Sequence, residues 1–351
     1  MSVMEPTRAM RAFDSIGTAY RRIFAESRAA DLLSRPKPVR WTGFELELSV
    51  REVRAEAADV VSLVLTAPDG GALPRWHPGS HLDVFLPSGK QRQYSLCGDP
   101  AERDAYRIAV RRLADGGGGS REMHELAPGT PLRIRGPRNA FRQIDAPSYL
   151  FLAGGIGITP ILPMVRSAAD RGVPWRLDYF GRTRAHLPFH AELDRIRGGV
   201  VRVHADDECG PPDLGTALAA AGPGAAIYCC GPDPMMTAAR RLLPVVAPTA
   251  SLHTERFSAP PVRNGRPFRI HLRRTGTTVD VAADESALQA VRRAVPGVPY
   301  SCRQGFCGTC KATVLAGEVE HRDALLPAAD REHSMLICVS RAAGSDLTLD
   351  L

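Results

Sequence analysis

Four cysteines constrain this chain more than any other feature of it. Cys302 and Cys307 enclose four residues, Cys307 and Cys310 enclose two, and Cys338 follows after 27 more. This spacing matches the plant-type pattern in which four thiolates hold a 2Fe-2S cluster. Zinc sites usually present two well-separated close pairs, whereas here the first gap is four and the last thiol stands alone. Gly305 and Gly308 fall between the ligands, where a loop folded around a cluster needs backbone conformations closed to other residues and must turn its amides towards sulfur. Cys302, Cys307, Cys310 and Cys338 are therefore the expected metal ligands. One such centre moves single electrons, so something else in the chain should collect them from a two-electron donor.

The 351 residues allow two or three domains, and the hydrophobic period changes accordingly. In residues 1–41, Met10, Phe13, Ile16, Tyr20, Ile23 and Phe24 recur at three- and four-residue spacing, which predicts an amphipathic helix lying on the body of its own protein. Residues 42–146 hold short β-rich runs such as 44–50 and 60–65 between turn clusters, which predict an antiparallel β-barrel or sandwich. Residues 147–257 alternate apolar strands at 149–153, 175–179, 200–203 and 226–229 with helical stretches, the pattern of a parallel α/β sheet. Residues 258–267, rich in proline, read as a linker. Residues 268–351 predict a hairpin (268–272 and 278–281), a helix starting near Asp284, the cysteine loop and a last strand at 347–351. That is a small α+β unit for which a metal cluster supplies stabilisation. The fold class expected is thus multidomain.

Composition excludes several functions. Apolar residues at 44% and charged residues at 24% are ordinary for a globular chain. The net charge of +7 is spread without a run of Lys/Arg or interleaved aromatics, so no nucleic-acid partner is expected. The longest charge-free apolar stretch, 149–165, is too short for a membrane span and is broken by glycine and proline. The N-terminus has no uninterrupted apolar region before a cleavage site, so a cytoplasmic protein is expected. Eight cysteines are too sparse for a disulfide scaffold.

Four further segments carry chemistry. Arg92 and Tyr94 share one face of a predicted strand, with Ser95 next to them, as a flat aromatic ligand with a phosphate tail requires. Downstream, Val110 and Arg111 precede Gly116-Gly-Gly-Gly119-Ser120, whose bare amides and hydroxyl can approach an anion closely. Gly154-Gly155-Ile-Gly157-Ile-Thr159-Pro160 then follows a strand and opens a helix, where a pyrophosphate meets a helix N-terminus, although it is not the usual G-x-G-x-x-G fingerprint. Finally, Cys230-Gly231-Pro232 ends another strand of the same sheet, at the edge where ligands of such folds bind.

In this order, a strand-borne R-x-Y-S, the G-G-x-G-x-T-P turn, C-C-G-P-x-P-M-M and a C-terminal plant-type cysteine pattern resemble the phthalate dioxygenase reductase and vanillate demethylase reductase family over about residues 42–351. Leu96-Cys97-x-Asp99 with Glu102-Arg103 and Tyr106 is similar to its FMN-binding members, while related reductases with a C-terminal cluster use FAD. The resemblance implies a flavin barrel, an NAD domain and a C-terminal ferredoxin-like (β-grasp) domain. It further implies that Arg92, Tyr94 and Ser95 contact the flavin, that Val110 lies beside the ring, and that Arg111, Gly119 and Ser120 lie near ring or phosphate. Gly154, Gly155, Gly157 and Thr159, with Pro160, Gly231 and Pro232, would line the nucleotide site, and Arg182 would serve the adenine face or pyrophosphate. Cys230 would approach the nicotinamide and Phe257 would sit beside the isoalloxazine, so that Cys230, Phe257 and Ser95 are the expected catalytic residues.

The activity implied is hydride transfer from NADH to FMN, then single-electron delivery through the 2Fe-2S cluster to a terminal oxygenase or demethylase, by a monomer. Two other readings are a reductase serving a haem-thiolate monooxygenase and a redox sensor without turnover. Arg182 and Arg184 on their face argue for NADPH, since an arginine accommodates a 2′-phosphate. The family resembled here uses NADH with arginine in that segment, so NADH is expected.

Overall fold

Alternation of Leu46, Leu48 and Val50 with polar residues makes the first strand one-faced, and five more strands join it around a shared core. The computed structural model describes residues 44–114, 117–323 and 325–351. The amphipathic helix predicted within residues 1–41 and the first glycine of the 116–120 run lie outside them.

The six strands are β1 (Glu45–Ala57), β2 (Val60–Thr66), β3 (Ser80–Phe85), β4 (Gln91–Ser95), β5 (Ala105–Arg111) and β6 (Pro131–Asn139), in the order β4-β3-β6-β1-β2-β5. Every pairing is antiparallel, and a bridge between Leu96 and Ile108 joins the two outer strands into a barrel. Leu48, Leu63, Leu82, Ile108 and Ile134 fill its interior. Helix α1 (Gly119–Glu125) follows β5.

The second sheet comprises β7 (Tyr149–Gly154), β8 (Trp175–Gly181), β9 (Gly199–Ala205), β10 (Ala226–Cys230) and β11 (Ser251–Glu255), all parallel, in the order β11-β10-β7-β8-β9. Central β7 is buried at every position because both faces are covered. Its Phe151 packs with Ile161 and Leu162 of α2 (Ile158–Asp170), and its Leu150 and Leu152 pack with Leu218 of α3 (Leu214–Ala219) and Met236 of α4 (Asp233–Val246). Strand β11 is an addition to the four strands predicted.

The third sheet runs β13-β12-β18-β14-β16, with β12 (Phe268–Leu272) and β18 (Asp346–Leu349) parallel at its centre. Around them lie β13 (Thr277–Val281), β14 (Lys311–Ala316) and β16 (Ser334–Leu336), all antiparallel, and β15 (Val319–Glu320) pairs with β17 (Arg341–Ala342) beside it. The predicted helix appears as α5 (Ala287–Ala294), started by a reciprocal capping box between Ser286 and Gln289. Arg341 is buried and spends its guanidinium on the carbonyls of Glu285, Arg266 and Ala282. Among the described residues, no helix is long and apolar enough to cross a membrane.

Candidate functional site

Strands β7 and β10 are neighbours, yet the chain leaves β7 towards β8 and β9 and returns to the other side for β10 and β11. Their carboxyl ends therefore part at a topological switch point, where α/β sheets open a crevice for ligands. The two turns there touch. A Cβ on Gly157 would fall 2.2 Å from the Cys230 carbonyl oxygen, and one on Gly154 would fall 2.7 Å from Pro232 Cδ, so the start of α2 reaches β10 only through glycine. Gly231 lies against Gly154 in the same contact.

A cavity of about 560 Å³ opens at this crevice, bounded by Gly154, Gly155, Arg182 and Pro232 among the predicted residues. Gly157 and Cys230 are packed against each other and do not line it. Pro160 is buried in the first turn of α2, where a missing N–H costs no helical bond. Thr159 donates its hydroxyl proton to the Ile156 carbonyl at 3.0 Å and faces a second cavity rather than this one.

That second cavity, of about 480 Å³, gathers Arg92, Tyr94, Ser95, Val110, Arg111, Gly119, Ser120, Thr159 and Phe257. Arg92 and Tyr94 are alternate residues of β4, as their spacing predicts. Arg92 donates to the Gly117 carbonyl at 3.2 Å and lies flat on Gly119, where a Cβ would come within 2.4 Å of its Nε. The Ser120 hydroxyl accepts from the Leu113 amide at 3.1 Å. The Tyr94 hydroxyl is buried without a hydrogen-bond partner, and burial pushes the phenol above its usual range. An orphaned donor, a bare glycine surface and a guanidinium in one apolar cavity fit a flavin with a phosphate tail. Phe257 is 47% exposed at its rim. Arg111, ion-paired with Asp59 at 3.0 Å, borders both cavities.

Glu255 faces Cys230 across the β10/β11 register. Its Oε2 is buried without a partner, although the residue as a whole keeps some exposure, and desolvation raises the carboxyl to about 8 while the Ser95 hydrogen bond opposes this. Cys230 is 1% exposed, and burial first and Glu255 second push its thiol up. Ser95, in the wall of the second cavity, thus lies beside the buried Cys230 and Glu255 at the ends of β10 and β11.

The four cluster cysteines come together as two pairs. Cys302 lies beside Cys307 and Cys338 beside Cys310, and this proximity pushes Cys302 and Cys338 up and Cys307 down, while the Cys307 thiol donates to Thr309 Oγ1 at 3.3 Å. The cysteine spacing, with a first gap of four residues and a lone fourth thiol, suits a two-iron centre rather than a single zinc. Gly305 and Gly308 take φ of +81° and +74°, and the Gln304 amide donates to Cys302 Sγ at 3.3 Å.

Phthalate dioxygenase reductase of Burkholderia cepacia is 37% identical over 316 residues, covering 87% of this chain and 97% of that protein. The chain belongs to the phthalate dioxygenase reductase family. The solved structure of a phthalate dioxygenase reductase, described as passing electrons from pyridine nucleotides to 2Fe-2S, aligns at TM-score 0.66 with 36% identity over 88% of this chain and 98% of that one. A putative toluene-4-sulfonate monooxygenase system reductase subunit of Comamonas testosteroni is 40% identical over 317 residues, 88% of this chain and 99% of that protein. An intact type IV self-sufficient cytochrome P450 monooxygenase aligns at TM-score 0.70 with 39% identity over 92% of this chain, which spans 44% of that longer protein. Within the family frame, residues 47–143 match the oxidoreductase FAD-binding domain and residues 270–343 the 2Fe-2S iron-sulfur cluster binding domain. The chain is an oxidoreductase of the oxygenase-reductase type with flavin and iron-sulfur domains.

Sequence reasoning missed Glu255, Asp59 and Arg303. Glu255 lies two residues before Phe257 but is significant only through its register with Cys230, which no spacing reveals. Asp59 sits in the turn between β1 and β2 and reaches Arg111 across strands. Arg303 reads as an ordinary loop cation, yet it borders the flavin cavity.

Proposed function

We propose that the protein takes a hydride from NADH onto FMN and releases electrons singly through a 2Fe-2S cluster to a terminal oxygenase, a Rieske-type aromatic-ring dioxygenase or O-demethylase. One observation carries this reading: the three sites are contiguous, since Arg111 borders both the nucleotide and flavin cavities and Arg303, next to ligand Cys302, borders the flavin cavity. When bound, the flavin supplies the conversion of a two-electron donor to one-electron outlets, and the cluster supplies the outlet. The protein's own residues position and polarise. Tyr94 and Ser95 offer donors to the ring, Arg92 holds the phosphate, and Phe257 covers the ring face. Ser95, Cys230 and Glu255 hold the proton inventory at the junction where the nicotinamide meets the flavin.

Three features support the finer choices. On α1, one turn beyond the cavity-lining Gly119, Glu122 accepts from the Ser88 amide at 2.9 Å and pairs with Lys90 at 3.5 Å. A carboxylate there opposes the second phosphate of FAD, in favour of FMN. In the nucleotide cavity Asp206 lies at the end of β9, suited to a ribose 2′-OH. Arg184 is engaged by Glu208 at 2.7 and 2.9 Å and is not free for a 2′-phosphate, in favour of NADH.

The test is the holoprotein itself: released flavin identified by chromatography, iron content, and kcat/KM for NADH and NADPH with cytochrome c as acceptor. FMN, two irons per chain and an NADH preference are expected; absence of NADH-dependent turnover would overturn the enzyme reading and favour a sensor. The likeness to a self-sufficient cytochrome P450 monooxygenase supports a second acceptor class, a haem-thiolate oxygenase. Identification of the oxygenase that copurifies with the protein decides between them.

A further inference from the structure

The flavin barrel carries a polar socket that faces out of it. Asp83 on β3 is fully buried, with Gln93 of β4 donating to its Oδ1 at 2.8 Å and Arg138 of β6 donating to its Oδ2 at 3.0 Å. A buried carboxylate is costly unless paired and hydrogen-bonded on all sides. Its last partner comes from another domain. Ser301, 2% exposed, donates its hydroxyl to Asp83 at 3.1 and 3.2 Å to the two oxygens, and the same hydroxyl oxygen accepts from Gln93 at 2.6 Å and Arg138 at 3.0 Å. Beside it, Gln91 of β4 donates to the Tyr300 carbonyl at 3.0 Å.

Position gives this contact its meaning. Ser301 is the residue before ligand Cys302, and Arg303, just after it, borders the flavin cavity. Gln304 donates to the Arg256 carbonyl at 2.6 Å, next to Phe257. Three barrel strands and the end of the nucleotide domain therefore grip the five residues that open the cluster loop. Nearby His81 is also buried, and desolvation holds it down to about 4, with Asp83 raising and Arg138 lowering it, so it stays neutral and brings no competing charge.

We infer that Asp83, with Arg138 and Gln93, is an interdomain latch whose keeper is Ser301, and that it positions the cluster loop against the flavin cavity. Resting on the electron-transfer reading above, the latch acts only on the flavin-to-cluster step. Asp83 and Ser301 are positioning residues: they neither exchange protons nor change charge during turnover. Without Ser301's hydroxyl the carboxylate keeps Arg138 and Gln93, so the barrel stays satisfied while the loop loses its anchor.

The test uses the full-length, flavin- and cluster-loaded protein with Ser301→Ala, and Asp83→Asn as a second variant that keeps the shape and removes the charge. Hydrogen exchange at the amides of residues 300–304 should quicken by roughly tenfold in Ser301→Ala, about the factor that loss of hydrogen bonds to a charged group gives. Flavin bleaching by NADH and the KM for NADH should be unchanged, while cluster reduction followed by its electron paramagnetic resonance signal slows by roughly tenfold. Unchanged exchange at 300–304 together with an unchanged cluster rate in Ser301→Ala overturns the latch. Equal slowing of flavin bleaching overturns it too, since the lesion would then lie in the flavin site. If the wild-type flavin is not reduced by NADH at all, the electron-transfer reading fails, while the exchange measurement still decides whether Ser301 anchors the loop.

Discussion

Replacing Glu255 by Gln should change how stability depends on pH, by an amount fixed by the environment of one carboxyl. In the folded protein desolvation raises this carboxyl from 4.5 to about 8, partly opposed by Ser95, and one of its oxygens is buried without a partner. In the unfolded chain it ionises at its ordinary value near 4.5. Between these two pH values the unfolded state has released a proton that the folded state retains, so the unfolded state binds fewer protons and stability falls as pH rises. The contribution is complete below the unfolded value and gone above the folded one. A shift of this size corresponds to about 5 kcal/mol, at about 1.36 kcal/mol per unit. Glutamine reproduces the neutral carboxyl in shape and removes the titration. Urea unfolding, followed by the fluorescence of Trp175 in the nucleotide domain, at pH 5, 7 and 9 is the assay. Wild type should lose several kcal/mol relative to Glu255→Gln between pH 5 and 9, most of it before pH 8, with the two nearly equal at pH 5. Parallel stability profiles for the two proteins would refute the argument, because Glu255 would then titrate as an open surface carboxyl.

Four other outcomes follow from the same geometry. Cys307→Ser should leave NADH bleaching of the flavin intact and abolish reduction of cytochrome c, since the cluster lies after the flavin; loss of bleaching in a flavin-loaded variant would reverse that order. Gly157→Ala forces a methyl to 2.2 Å from a backbone carbonyl and should raise KM for NADH by at least ~10-fold or prevent folding, whereas an unchanged KM would show that α2 does not need the close approach. Asp206→Ser should narrow the NADH over NADPH preference in kcat/KM by about tenfold, read from initial rates with both nucleotides. Gly119→Val should displace Arg92 and weaken flavin binding by about tenfold, measured by fluorescence of the released flavin on dilution, with Phe257→Ala as a comparison that leaves Arg92 in place.

How far the sequence alone reached differs from element to element. Strand β7 was legible because an uninterrupted apolar run before a glycine turn can only be a central, doubly covered strand. The hairpin of β12 and β13 and the cap of α5 were legible because turn and cap chemistry is local. Strand β11 was not foreseen, since Ser251–Glu255 is short and polar and becomes a strand only by pairing with β10. That Arg92 and Tyr94 border one cavity was legible by alternation, with Ser95 beside them. Thr159 was expected at the nucleotide and faces the flavin cavity, because a helix position one turn from its glycine loop turns towards the barrel. Glu255, Asp59 and the Asp83–Ser301 contact lay beyond any linear pattern: each joins residues whose proximity is made by sheet register or by domain docking.

Arg111 stands in the wall between two cavities, tied at its Nε to Asp59 and open to ligands on either side. A single guanidinium shared in this way makes the two binding equilibria thermodynamically linked, and such linkage is reciprocal. Whatever factor occupancy of the flavin cavity applies to the affinity for nucleotide, nucleotide must return to the affinity for flavin. Retention of the flavin during dialysis therefore becomes a reporter on the donor site: NAD⁺ in the buffer should shift the flavin's dissociation constant by the same ratio by which the flavin shifts that of NAD⁺, and Arg111→Gln should bring both ratios towards unity together.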